Sequence, residues 1–243
     1  MMRLLMAHGS PNYGHSGICY VQRSMPFTYT LGGHRPPAAD YAQADLMLLW
    51  GRSPTCASAP MGGLRALTEA RRRGMRVVVI KPTQGGEGRF SDEWLALRPG
   101  TDAALALSML HVVIGEELYD RDFVRDWCFG FEELAEHVRQ YTPQWAEGIT
   151  GVPAGRIREV ARRYASTPRA AIDLGNGIEH APGCSDAARA IAMLIALTGH
   201  LERPGGNLWP PRFSMPALKN IELKERITEE LASRLVAPEM PQY

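Results

Sequence analysis

The chain has 243 residues, 45% of them hydrophobic and 22% charged, which is length and apolar material enough to bury one large core or two smaller ones. A formal net charge of +1 gives no field strong enough to make nucleic acid or an acidic membrane surface an expected partner, and the run Arg71-Arg72-Arg73 reads as the solvated end of a helix, where cations suit the dipole. Four scattered cysteines, Cys19, Cys56, Cys128 and Cys184, form no CxxC pair, which removes support for a zinc ribbon, an iron–sulfur ligand run or a disulfide framework.

No stretch approaches the roughly 18 apolar residues of a membrane span, so no direct span is expected. The opening MMRLLMAHGSPN has too short an apolar run for a signal peptide and no twin-arginine pair. A cytoplasmic location is therefore expected for the chain as it stands, and a periplasmic one if a leader precedes it.

Residues 1–37 are rich in Gly, Pro, Ser, His and Tyr without sustained periodicity, so a loop-rich segment is expected to about residue 40. From Tyr41 the pattern changes. The apolar run 46–50 leads into Gly51-Arg52-Ser53-Pro54, a helical stretch follows over 61–73, Gly74 ends it, and residues 75–80 form a β-branched run of the kind buried on both faces. Strand, turn, helix and second strand make one βαβ unit, which lays two parallel strands side by side.

A short strand is expected at 94–97. Arg98-Pro99-Gly100-Thr101-Asp102 then opens a helix to residue 117, with Thr101 as N-cap and Asp102 in the first turn, where its charge suits the free amides. Short helices are expected near 120–127, 131–141 and 153–165, the last with Pro153 in its first turn. Residues 169–174 read as another buried strand, delivering the chain into Gly175-Asn176-Gly177-Ile178-Glu179-His180, and a helix over 185–197 is stopped by Gly199 and Pro204-Gly205-Gly206. The remainder is peripheral, with one charged helical stretch at 221–235. The expected fold is α/β: an open, mainly parallel, Rossmann-like sheet with flanking helices and irregular segments at both ends. Its expected organisation is a loop-rich segment 1–40, an α/β domain 41–209 and a tail 210–243.

In open α/β sheets ligands sit at the carboxyl ends of the strands, where loops and helix N-termini present free amides to anions. Gly51 follows the first strand, Lys81-Pro82-Thr83-Gln84-Gly85-Gly86 the second, Gly100-Thr101-Asp102 the third and Gly175-Asn176-Gly177 the fourth. Together they point to a nucleotide-like ligand, although each alone is by default a turn. Neither GxGxxG nor GxxxxGK[ST] occurs, so ordinary dinucleotide and triphosphate sites lose support.

Cys19 lies upstream, in Gly9-Ser10-Pro11-Asn12-Tyr13-Gly14-His15-Ser16-Gly17-Ile18-Cys19-Tyr20. Cysteine is among the residues most often buried, so on spacing alone a small packing residue stays ahead. The competing reading is a thiolate ligand to a transition metal, held deprotonated by His15 or Arg23.

With these runs assembled, the sequence resembles the dimethyl sulfoxide reductase family of molybdenum and tungsten enzymes, which includes formate dehydrogenases, nitrate reductases and polysulfide reductases. The resemblance covers residues 9–209 and rests on motifs in order: GSPN and HSGIC, WGRSP, RPGTDAALALSMLHVVI, LYDRDFV, YTPQWAEGITGVP, GNGIEH and RAIAMLIALTGHLERPGGN. It implies a molybdenum or tungsten bis(molybdopterin guanine dinucleotide) cofactor, with Cys19 at the position of the metal ligand. Trp50, Gly51, Arg52, Ser53 and Pro54 match the turn along the cofactor's phosphates, with Lys81 and Thr83 at the neighbouring strand end. Gly100, Thr101 and Asp102 match the turn whose carboxylate hydrogen-bonds guanine, a sensible role for an acceptor of two parallel bonds. Gly175, Asn176, Glu179 and His180 match the loop toward the pterin and metal. His15 and His180 become candidates for proton transfer, and Arg212 for binding an anionic substrate.

Two departures from the family pattern stand out. Lys81-Pro82-Thr83 replaces the Asp-Pro-Arg of many relatives, so an acidic contact is missing there. The cysteine-rich iron–sulfur segment and the C-terminal domain of the family are also missing, so an iron–sulfur cluster is expected only in a missing segment or a partner. The expected partners are an iron–sulfur electron-transfer subunit or the remaining domains of the same enzyme, together with a small-molecule substrate. The alternatives are a non-redox tungsten hydratase of the same fold, acetylene hydratase-like, a truncated or split cofactor-binding module inactive alone, and an unrelated α/β nucleotide-binding protein.

Overall fold

Where loops are expected, residues 21–31 form helix α1 (Val21–Leu31) in the computed structural model, which describes residues 8, 20–33, 36–56, 63–209 and 229–233. The loop expectation fails because the segment carries no apolar period and holds Pro26 in its interior; only Ser24, Pro26 and Phe27 are buried. Such a helix owes its stability to packing, here against a later helix, rather than to propensity. Gly32 closes it in the left-handed conformation, its N–H bonded to Thr28 O.

After the two-residue strand β1 (Ala38–Ala39) come β2 (Leu46–Trp50), helix α2 (Gly63–Arg72), β3 (Arg76–Ile80) and β4 (Glu93–Leu95), which starts one residue before the expected strand and ends two earlier. These strands join β5 (Ala170–Leu174) in a four-stranded sheet of order β4-β3-β2-β5, with every pair parallel. All five residues of β2 are buried, because side chains alternate between two covered faces. Leu46, Leu48 and Trp50 enter one apolar cluster, while Met47 and Leu49 meet Leu67 and Ala70 of α2 in the other.

The larger cluster is closed by helices α3 (Asp102–Gly115), α4 (Arg121–Trp127), α5 (Phe131–Val138), α6 (Pro143–Thr150), α7 (Ala154–Ser166) and α8 (Cys184–Leu197). Helix α6 is absent from the sequence expectation although its start is encoded: Thr142 Oγ1 accepts from Trp145 N at 3.2 Å, and Pro143 occupies the first turn. Two expected caps differ in detail. Thr101 stands at the N-cap of α3, but its hydroxyl donates back to Arg98 O at 2.6 Å and caps no helix N–H. Pro153 is the N-cap of α7, one step before the first turn.

The edge strand β5 is protected by a side chain. Asn207, in strand β6 (Asn207–Leu208) that pairs antiparallel with β1, accepts from Ile172 N at 3.0 Å and donates to Ile172 O at 2.9 Å. One buried amide thus satisfies a ladder position that has no neighbouring strand among the described residues. Glu93 of β4 is tied to α7 by Arg156 and Arg163 at 2.7 and 2.6 Å.

These elements belong to a compact unit, Ile18–Pro210; a second comprises Met1–Gly17 with Pro211–Tyr243, in which the described residues are His8 and residues 229–233, including the short helix α9 (Glu229–Ala232). Among the described residues no helix is long and apolar enough to cross a membrane.

Candidate functional site

Because the four strands are parallel, their carboxyl ends and the four singled-out loops share one edge of the sheet. The chain runs from β2 outward through β3 to β4 and then returns to the other side of β2 as β5, so the topological switch point lies between β2 and β5. There Gly175 N donates to Trp50 O at 2.9 Å and Gly177 N to Gly51 O at 3.0 Å. A Cβ on Gly175 would stand 2.2 Å from Gly51 O, so this approach of two backbones requires glycine. Gly51 itself has φ 57°, the left-handed region.

The third loop is a hydrogen-bonded turn: Thr101 N donates to Arg98 O at 3.3 Å, with Pro99 and Gly100 (φ 77°) at its centre, as a type II turn requires. Arg98 anchors it, its N donating to Thr150 O at 2.8 Å and its guanidinium to the Gly148 and Ile149 carbonyls, which are otherwise open at the end of α6. The turn delivers Asp102 to the first residue of α3, buried, with Oδ1 accepting the Trp50 indole N–H at 2.8 Å. Burial raises the Asp102 carboxyl above its ordinary range, and the Trp50 bond pulls the other way. Trp50 and Asp102, expected in separate cofactor loops, are thus in direct contact.

Lys81, expected beside a phosphate, is buried and donates to Glu87 Oε2 at 2.6 Å and to Ser53 Oγ at 2.9 Å. Glu87 also receives the Thr55 hydroxyl, and its second contact to Thr55 is the backbone N–H at 3.3 Å. Burial pushes the Glu87 carboxyl up, but its bonds from Lys81 and Thr55 outweigh that and hold it below the usual range. Lys81 is thus paired with a carboxylate from six residues further on, which is itself buried. Arg52 Nε lies 3.0 Å from Asp173 Oδ2, which Tyr41 also contacts through its hydroxyl at 2.5 Å. Burial, then the Asp173 charge, drives the Tyr41 hydroxyl far above its usual value, so it stays protonated and donates. Pro54 is buried, while Thr83, Gly100, Asn176 and His180 are exposed.

Glu179 differs from its neighbours. Its side chain is fully buried, accepts the Tyr20 N–H on Oε2 at 2.7 Å, and lies 2.9 Å from Arg23 Nε in an ion pair whose N–H points off the oxygen. Arg23 Nη1 donates to Leu174 O at 2.5 Å. Arg23, considered for holding the Cys19 thiolate, is thus committed to Glu179 and the end of β5. Cys19, His15 and Arg212 lie outside the described residues; among those described no group of three His, Cys, Asp or Glu side chains is placed to hold a metal.

Glu87, Arg98, Asp173 and Tyr20 were not singled out by sequence. Only Arg98 carried a signal, as the opening residue of the Arg-Pro-Gly-Thr-Asp run; the rest become relevant through contacts across the fold.

Comparison with known proteins adds an independent line. Residues 3–219 match the model of the molybdopterin oxidoreductase family. The chain is 32% identical over 231 residues to acetylene hydratase of Syntrophotalea acetylenica, covering 95% of this chain and 31% of that protein. It is 33% identical over 239 residues to a dimethyl sulfoxide reductase of Escherichia coli (strain K12), covering 86% and 29%. Similarity to a probable oxidoreductase of Bacillus subtilis (strain 168) is 35% over 192 residues, covering 78% and 28%. The solved structure of acetylene hydratase from Pelobacter acetylenicus superposes with a TM-score of 0.77 at 31% identity, covering 98% of this chain and 33% of that one. The chain therefore spans about a third of the length of these relatives.

Proposed function

The chain belongs to the molybdopterin oxidoreductase family, and from that premise we propose that it is the cofactor-gripping part of a molybdenum or tungsten enzyme, with Cys19 as ligand to the metal of a bis(molybdopterin guanine dinucleotide). The observation that carries this reading is the buried Trp50–Asp102 bond, because it joins two sequence-distant loops into one polar feature at the shared end of the sheet. A carboxylate has about four lone-pair positions, so Asp102 keeps acceptor capacity for the ring N–H and amino group of guanine. The sheet then works as a Rossmann-like dinucleotide platform.

Lys81 and Arg52 each face a carboxylate, so these cations support the phosphates from within ion pairs rather than as free anchors. The bound group supplies reversible two-electron chemistry at its metal, while this chain binds and orients it. His15 and His180 are the proton-transfer candidates, Arg212 is the candidate anchor for an anionic substrate, and electrons leave through an iron–sulfur partner or further domains.

The test is metal and pterin content, with turnover, of the chain produced together with its genomic neighbours, compared with Cys19→Ser and Cys19→Ala. Alanine is expected to abolish most turnover while part of the cofactor stays bound; unchanged turnover in that variant would overturn the ligand assignment. The near-complete coverage by acetylene hydratase, in sequence and in structure, supports a second reading, a non-redox hydration. Stoichiometric consumption of an electron acceptor during turnover rules that reading out.

A further inference from the structure

Glu179 stands in a loop that the family resemblance gives to the cofactor, yet its buried carboxylate is directed to a different chain segment. The N–H it accepts at 2.7 Å, that of Tyr20, belongs to the peptide bond joining Cys19 to Tyr20. Its other oxygen faces Arg23, which in turn holds the last carbonyl of β5. A second observation concerns the same peptide. Tyr20 has φ 82° and ψ −44°, a conformation that residues with a Cβ avoid and that persists only where the surroundings over-determine it. Both partners of this buried carboxylate, the Tyr20 N–H and the Arg23 guanidinium, lie in the stretch that follows Cys19, and a buried charge is costly to leave there unless such partners hold it.

We propose that Glu179, paired with Arg23, is a positioning residue for Cys19: it clamps the Tyr20 N–H, one residue after Cys19, to the loop after β5 and so fixes the point from which the chain leaves the metal ligand. The inference rests on the metal-ligand reading of Cys19. It assigns Glu179 to the protein rather than to the cofactor, and gives Arg23 a function in the same clamp.

The experiment uses the complete complex and two readouts. In cofactor-free protein, the alkylation rate of Cys19 is followed by peptide mass spectrometry, with Cys56, Cys128 and Cys184 as internal references. In loaded protein, X-ray absorption counts the sulfur ligands of the metal. Glu179→Ala is expected to speed Cys19 alkylation about ten-fold or more relative to the references, the effect of losing a buried charged hydrogen bond. It should also lower the sulfur count while pterin is retained. Glu179→Gln keeps an acceptor for the Tyr20 N–H and should fall between wild type and alanine. If alanine does not fold, Arg23→Lys, which keeps a charge beside Glu179, takes its place with a smaller rise expected. A Cys19 rate that moves no more than those of the references overturns the clamp. So does an intact sulfur count in Glu179→Ala when Cys19→Ala lowers it. If Cys19→Ala leaves the sulfur count unchanged, the ligand reading fails instead, and the alkylation rates alone then decide the clamp.

Discussion

Asp102 gathers in one side chain the tension that runs through this sheet edge: a carboxylate is buried, which raises its proton affinity, and one indole N–H is set against it to keep an acceptor in place. Asp102→Asn separates the two roles. An asparagine oxygen still accepts from Trp50, so the fold should hold, whereas the charge and the second acceptor that the proposed guanine contact needs are gone. Pterin and metal retained per purified chain should fall about ten-fold or more, the scale of a lost charge-assisted bond, with little change in melting temperature; full retention would remove Asp102 from the cofactor site. At this scale the sequence was legible in part. Trp50, Asp102, Gly51 and Gly175 could be picked out because turn chemistry and motif order mark them. The partner of Lys81 could not, since nothing in Gly85-Gly86-Glu87 announces that its carboxylate folds back under the preceding strand end. Nor could the direction of Glu179 be read, because a loop residue's side chain is aimed by its contacts.

The elements that were legible are those whose pattern is repetitive. The run 46–50 and the β-branched run ending at Ile80 announce buried parallel strands, and α3 and α8 show long apolar faces ended by glycine or a turn. Helix α1 was hidden by Pro26 and by its few core residues, and α6 by its eight-residue length, despite the Thr142-Pro143 start. Both omissions bear on the site: α1 carries Arg23, and the end of α6 anchors Arg98. The junction between β2 and β5 offers an element-scale test. Gly175 has φ −110°, which any residue adopts, so only the 2.2 Å approach to Gly51 O forbids a side chain there. Gly183 is the reverse, with φ 75° and nothing within 4 Å of an added Cβ. Chemical denaturation should find Gly175→Ala destabilised by about 3 kcal/mol or more, from backbone forced apart. Gly183→Ala should cost roughly 1–2 kcal/mol, from the left-handed conformation alone. Equal costs would mean that the two strand ends do not meet as closely as described.

Across the whole molecule the titratable groups set an uneven response to acid. Val77 N–H and Arg71 more than offset the partial desolvation of Asp92, the Phe123 N–H and Arg203 hold Asp120 low, and Lys81 and Thr55 do the same for Glu87 against its burial. Each is below its unfolded value when folded, so each contributes stability that is complete above the ordinary carboxylate range and is lost as pH falls from there through the lowered folded value. Asp102 acts oppositely, being raised: the folded state takes up its proton first, and stability gains slightly as pH drops through that window. His200 responds earlier than the lowered carboxylates. Burial lowers it from its ordinary 6.5 and outweighs the opposing pull of the Tyr164 carbonyl, 3.0 Å from Nε2, so the folded state keeps the ring neutral while the unfolded chain begins to bind a proton. Melting temperature should therefore start to fall just below pH 6.5, before the lowered carboxylates titrate, and fall more steeply once they do. His200→Gln retains a donor for the Tyr164 carbonyl and cannot titrate, so in a pH series of thermal melts it should erase the first, shallow phase and leave the steep one. A shallow phase that survives in the variant would assign it to another group and would mean that the ring does not stay neutral in the core.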